Sequence, residues 1–141
     1  MEQEQLHATA IAVGERCCVI TGASGSGKST LALEMIALGA ALVSDDRVDV
    51  SRDGERLVAS APEAIAGRIE AAGIGLIRMP HAASAEIAVI VDLDQTELRR
   101  LPGPRKRDLL GVECPVIFGR NRPGLAAILW TAMNHEVEET P

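Results

Sequence analysis

"GASGSGKST", residues 22–30, follows the apolar run Cys17-Cys18-Val19-Ile20 and leads into Leu31-Ala32-Leu33-Glu34-Met35-Ile36-Ala37-Leu38. Gly22, Gly27, Lys28 and Ser29 fill the fixed positions of the Walker A pattern, Gly-x-x-x-x-Gly-Lys-Ser/Thr. The residue types answer a physical need. Gly22, Gly25 and Gly27 carry no Cβ, so the backbone N–H groups of the loop, through Ala23, Ser24 and Ser26, can turn inward onto an anion. The helix that opens near Lys28, with Ser29 and Thr30 in its first turn, aims its positive end at the same place. Lys28 would neutralise terminal phosphate charge, and Ser29 Oγ would hold Mg²⁺. An apolar strand before such a loop and a helix after it predict an α/β fold, a twisted mixed sheet with flanking helices.

Outward from this loop the chain alternates short apolar runs with turn signals. Ala8–Val13 and Cys17–Thr21 read as strands joined by a turn at Val13-Gly14-Glu15-Arg16. The helix after the loop stops at Gly39. Ala41-Leu42-Val43 is a buried strand ending at Ser44-Asp45-Asp46. Residues 47–50 and 56–59 alternate around Asp53-Gly54, the pattern of a hairpin. Pro62 opens a short helix through about Ile69, broken at Gly73-Ile74-Gly75. Glu86–Leu93 is a strong strand. Residues 95–114, polar and containing Pro102, Pro104 and the run Arg105-Lys106-Arg107, read as a mobile loop. Leu125–Asn134 is a last helix, with Trp130 in its core face.

Composition narrows the function. The 141 residues suggest one domain, 1–141, with 47% hydrophobic residues to build a core. Phe118 and Trp130 are the aromatic residues, too few for the stacking platforms of single-stranded nucleic-acid binding. A net charge of −6 argues against a nucleic-acid surface. No apolar run reaches the ~18 residues of a membrane span, and the acidic start MEQEQLHATA lacks a leader pattern. Cys17, Cys18 and Cys114 have no metal-site spacing and read as buried filler. A reduced, cytoplasmic protein is expected.

A phosphate loop needs a carboxylate to do chemistry. Asp45-Asp46 ends a buried strand and lies beside the loop if that strand neighbours the one leading into it. Successive residues at a strand end point different ways. One carboxylate can reach a metal while the other takes a proton from a hydroxyl nucleophile. Val89-Ile90-Val91-Asp92 is a second candidate, a Walker B strand ending in an acid.

"GASGSGKSTLALEMIALGAALVSDDRVDV" resembles the HPr kinase/phosphorylase family, as does "PEAIAGRIEAAGIGLIRMP", which is similar to that family's Glu-x-Arg-Gly-x-Gly-Ile signature. His7 and the closing "AAILWTAMNH" resemble the start and the last helix of its catalytic domain. The resemblance covers about residues 7–135 and is closest to the short forms that lack the family's N-terminal domain. It implies a fold similar to the nucleotide domain of phosphoenolpyruvate carboxykinase. It also implies an ATP-dependent kinase that phosphorylates a serine of the phosphocarrier protein HPr, reverses the reaction by phosphorolysis, uses Mg²⁺, and works as a hexamer. By the same resemblance Asp46 is the catalytic acid/base, Asp45 its support, His7 a neighbour of both, Glu70 a residue that positions Mg²⁺, and Arg120 a phosphate contact. For the last, Arg122 is the alternative register.

The chain departs from the family pattern at Ala72, where the signature has arginine. Two other readings therefore stay open beside the protein kinase: a small-molecule kinase or NTPase using Asp92, and a nucleotide-binding regulator without catalysis.

Overall fold

The computed structural model describes residues 2–138. Nine strands join in one sheet. Its main path runs β1 (Gln3–Leu6), β5 (Val48–Asp53), β6 (Arg56–Ser60), β9 (Ala85–Asp92), β3 (Arg16–Thr21), β2 (Ala8–Val13) and β4 (Ala41–Ser44). β9 divides one of its edges: Glu86 and Ala85 pair with β6, while Ile90, Val91 and Asp92 pair in parallel with β11 (Val112–Phe118). β10 (Lys106–Leu109) closes a hairpin on β11. β7 (Arg68–Ala71) and β8 (Gly75–Arg78) form a separate antiparallel ribbon.

Alternation along the central strands sorts side chains onto two buried faces. From β2 and β3, Ile11, Val13, Cys18 and Ile20 face the two helices, α1 (Lys28–Leu38) and α2 (Leu125–Asn134), and meet Leu31, Met35, Leu129 and Met133. Ala8, Ala10, Ala12, Cys17 and Val19 face the other way, against Val48, Val50, Leu57, Leu109 and Cys114 of the curling sheet. Helices thus cover one face, and the sheet's own strands close the other. The adjacent Cys17 and Cys18 lie on opposite faces for the same reason; both are buried, as is Cys114. α1 ends at Gly39, at φ 124°, where a Cβ would come within 2.9 Å of the Trp130 ring of α2.

The structure changes or adds to the sequence reading in four places. The helix expected over 62–69 is one 3₁₀ turn, Glu63–Ile65, followed by β7. Gly67, at φ 76°, turns the chain, and the fully buried Ile69 packs as a strand residue under α1. The 95–114 loop is a loop in its first part alone. Lys106–Leu109 pairs with Val112–Phe118 around Leu110 and Gly111, both at positive φ. Glu97 closes the part before it, accepting from Arg105 Nε at 3.1 Å and Nη2 at 2.9 Å, with the guanidinium 4.2 Å from the centroid of Phe118. β1, polar and exposed, joins the sheet through its backbone pairing with β5. Finally, β4 does not neighbour β3, because β2 runs between them, antiparallel to both.

Candidate functional site

This interposed strand builds the site. β3 and β4 both run against β2, so both end at the edge where β2 begins. The glycine-rich loop leaves β3 at this edge, Asp45 and Asp46 leave β4 there, and His7 and Thr9 stand at the start of β2 between them.

The loop has the backbone its sequence requires. Gly22, Gly25 and Gly27 all have positive φ, and a Cβ at Gly22 would fall 2.5 Å from Ser26 Oγ. Ser26 Oγ is buried without a hydrogen-bond partner, a polar atom facing a loop made for a polar ligand. Ser24 and Gly25 are exposed at its crest. Lys28 Nζ donates to Gly22 O at 2.7 Å and Ala23 O at 3.1 Å, which folds the ammonium over the loop. Gly27 caps α1 from the left-handed region, and Ser29 and Thr30 form the first turn, Thr30 exposed.

Asp45 ties four elements together. The residue is 8% exposed. Oδ1 accepts from Ser29 Oγ at 2.8 Å and from Thr9 Oγ1 at 2.9 Å; Oδ2 accepts from the backbone N–H of Glu70 at 2.9 Å. All three donors are uncharged, and such bonds are what lets a carboxylate be buried. Asp46, next in the chain, is exposed and stands 3.7 Å from His7 Nδ1. Both side chains are open to water, so the pair contributes little to stability and leaves the carboxylate free to act. The structure therefore brings together Lys28, Ser29, Asp45, Asp46 and His7. Glu70 joins them through its main chain, with its own side chain exposed. Ala72 lies in the β7–β8 turn, exposed.

The loop's other flank is acidic too. Asp92 ends β9 in register with Thr21, and its Oδ1 accepts from Asp94 N–H at 2.9 Å. Asp94 in turn accepts from Ala23 N–H with both oxygens, at 3.0 and 3.1 Å. Arg120 and Asn121 line the cleft between Asp94 and the loop, whereas Arg122 borders a separate apolar groove beside α2. Sequence reasoning missed Thr9 and Asp94. The signal for Thr9 was a hydroxyl inside the apolar strand ATAIAV; Asp94 lies two residues beyond an acid that was noticed.

Among the described residues no three His, Cys, Asp or Glu side chains gather into a metal cage. This donor set suits Mg²⁺, which keeps several waters and leans on substrate phosphates. With its proton given to Asp45, Ser29 Oγ retains lone pairs for such a cation.

A family model described as the HPr Serine kinase C-terminal domain matches residues 1–126. An HPr kinase/phosphorylase of Geobacillus thermodenitrificans is 36% identical over 81% of this chain and 42% of its own. One of Lactiplantibacillus plantarum is 35% identical over 97% of this chain and 49% of its own. The chain thus spans less than half the length of these relatives. The solved Hpr(Ser) kinase/phosphatase from Coxiella burnetii superposes with a TM-score of 0.82 at 27% identity, covering 93% of this chain and 94% of that one.

Proposed function

Because the chain belongs to the HPr Serine kinase C-terminal domain family, we propose that it is the catalytic domain of a kinase that moves the γ-phosphoryl group of ATP to a serine of HPr. The observation that carries this reading is the convergence, on one sheet edge, of a glycine-rich loop, a buried Asp45 and an exposed Asp46. The loop N–H groups, Lys28 and Arg120 bind and orient the phosphates. Asp46, unburied and unclamped, accepts the serine proton as the oxygen attacks phosphorus. His7 orients Asp46, and Asp45 holds Ser29. Mg²⁺, when bound, would be held by Ser29, with Glu70 nearby; it would screen phosphate charge. In the reverse direction inorganic phosphate attacks the phosphoserine, the P–O bond to serine breaks, Asp46 returns the proton, and pyrophosphate leaves. By family likeness residues 1–141 form one domain similar to the nucleotide half of phosphoenolpyruvate carboxykinase, act in the cytoplasm, and assemble as a hexamer. No helix among the described residues is long and apolar enough to cross a membrane.

A second reading rests on Asp92 and Asp94 beside the loop: an NTPase with no protein substrate. Labelled ATP, incubated with and without HPr, separates the two. Label on HPr, removed again by inorganic phosphate, supports the kinase. Phosphate release at the same rate without HPr, and no labelled HPr, overturns it in favour of the NTPase.

A further inference from the structure

Thr9 is a fully buried residue in a strand whose other members are Ala, Ile and Val. Alternation along β2 puts Ala8 and Ala10 on the opposite face, so the Thr9 hydroxyl reaches toward α1 and gives its proton to Asp45 Oδ1 at 2.9 Å. Ser29 Oγ donates to the same oxygen at 2.8 Å, and Glu70 N–H occupies Oδ2 at 2.9 Å. Valine would fill the same volume without a hydroxyl, so apolar packing alone does not call for threonine at this position.

The chemistry of a shared acceptor gives the hydroxyl a purpose. A carboxylate oxygen with a free lone pair, facing a divalent cation, binds that cation directly. Two donors fill both lone pairs of Oδ1, the oxygen that faces Ser29, and withhold it from that contact, while the Glu70 N–H on Oδ2 fixes the rotamer. Ser29 then keeps its single proton on Asp45 and offers its lone pairs outward. We propose that Thr9 is a positioning residue: it holds Asp45 behind Ser29, so that Ser29 and not Asp45 supplies the protein's oxygen to the cation. The inference rests on the kinase reading for its cation; Thr9 itself, with no exposed surface, does not reach substrate.

The test compares Thr9→Val with Thr9→Ser. Mn²⁺ stands in for Mg²⁺, and its binding with ATP is followed by the enhancement of water-proton relaxation over that of Mn²⁺–ATP alone, which reports the cation held on the protein. Amide exchange is read at Glu70. Thr9→Val is expected to weaken Mn²⁺ binding about 10- to 100-fold, the usual scale for losing a group that orients a metal ligand, and to speed exchange at the Glu70 N–H. Thr9→Ser, which keeps the hydroxyl, is expected to restore both. A folded Thr9→Val protein with wild-type Mn²⁺ affinity and Glu70 exchange overturns the inference, as does a wild type that binds no Mn²⁺ with ATP. Should Thr9→Val fail to fold, Thr9→Ala is read by the same two criteria. HPr labelling run alongside keeps the two claims apart. A wild type that binds Mn²⁺ with ATP yet never labels HPr removes the kinase reading and leaves the Thr9 comparison standing.

Discussion

Asp46 has φ 71°, in a three-residue turn closed by Arg47 N–H on Asp45 O at 2.8 Å. A side chain in that region costs about 1–2 kcal/mol, least for Asp and Asn. Strain of this kind persists where neighbours over-determine it, here the buried Asp45 on one side and the Ser44 hydroxyl bonded to Arg47 O on the other. Two substitutions separate backbone from chemistry. Asp46→Asn suits the turn but accepts no proton. It is expected to bind ATP nearly as wild type while phosphorylation of HPr falls roughly 10²-fold or more, with phosphorolysis falling in parallel. Titration calorimetry and labelled HPr measure the two; transfer at a native rate would move the base to Asp45. Asp46→Val adds a branched Cβ where the backbone tolerates it least, and should also lose about 1–3 kcal/mol of stability in urea. Lys28→Ala makes a third case. Its ammonium bonds to loop carbonyls and supports no core, so turnover should drop by orders of magnitude with the urea midpoint unmoved.

Among the elements, α1 and α2 were legible in the sequence because each carries an apolar run, α1's ended at Gly39, and α2 spans the residues expected of it. The β5–β6 hairpin was legible through Asp53-Gly54, and β9 through its unbroken apolar run. β1 and β10 were not, being polar strands made by backbone pairing, β1 with the distant β5 and β10 with its hairpin partner β11, rather than by their own pattern. The β10–β11 turn hides further, since a leucine occupies its first positive-φ position, held by Arg52 Nη1 donating to Leu110 O at 2.9 Å. Amide exchange should therefore be slow across residues 106–109 and 112–118 and faster across 98–104; uniformly fast exchange over 95–118 would restore the mobile-loop expectation. The helix contact makes a sharper forecast. Gly14→Ala meets open space at φ 62°, whereas Gly39→Ala meets both φ 124° and the Trp130 ring. Gly14→Ala should cost about 1–2 kcal/mol and Gly39→Ala visibly more, by urea denaturation of the pair. Equal losses would mean that Trp130 yields freely.

Over the whole molecule, the two buried faces share one chemical vulnerability. Burial pushes the Cys18 thiol up to about 12 and Cys114 to about 11 from an ordinary value near 9.0, and raises Cys17 as well. Thiols held neutral in the fold but free to ionise when unfolded stabilise fully below pH 9; that stability drains away as pH climbs through about 11 and 12. The urea midpoint should thus fall between pH 8 and pH 10.5, and a thiol reagent at pH 8 should react at the rate of unfolding. Without tyrosine in the chain, no phenol titrates across the same window, and a flat midpoint would count against the buried thiols. The site was legible as a list of parts, since loop, lysine and acid pair each carry a local pattern. Their arrangement was not, because it depends on a strand crossing between them, and no local pattern records which strands become neighbours. This crossing has a consequence of its own. β2 acts as a shim between the loop and the acids: its seating, with the register shift at Ala10 and Ile11 against β4, sets the gap between them. A change of thickness there would retune the gap while leaving both working surfaces untouched, as a machinist adjusts a fit without recutting either part.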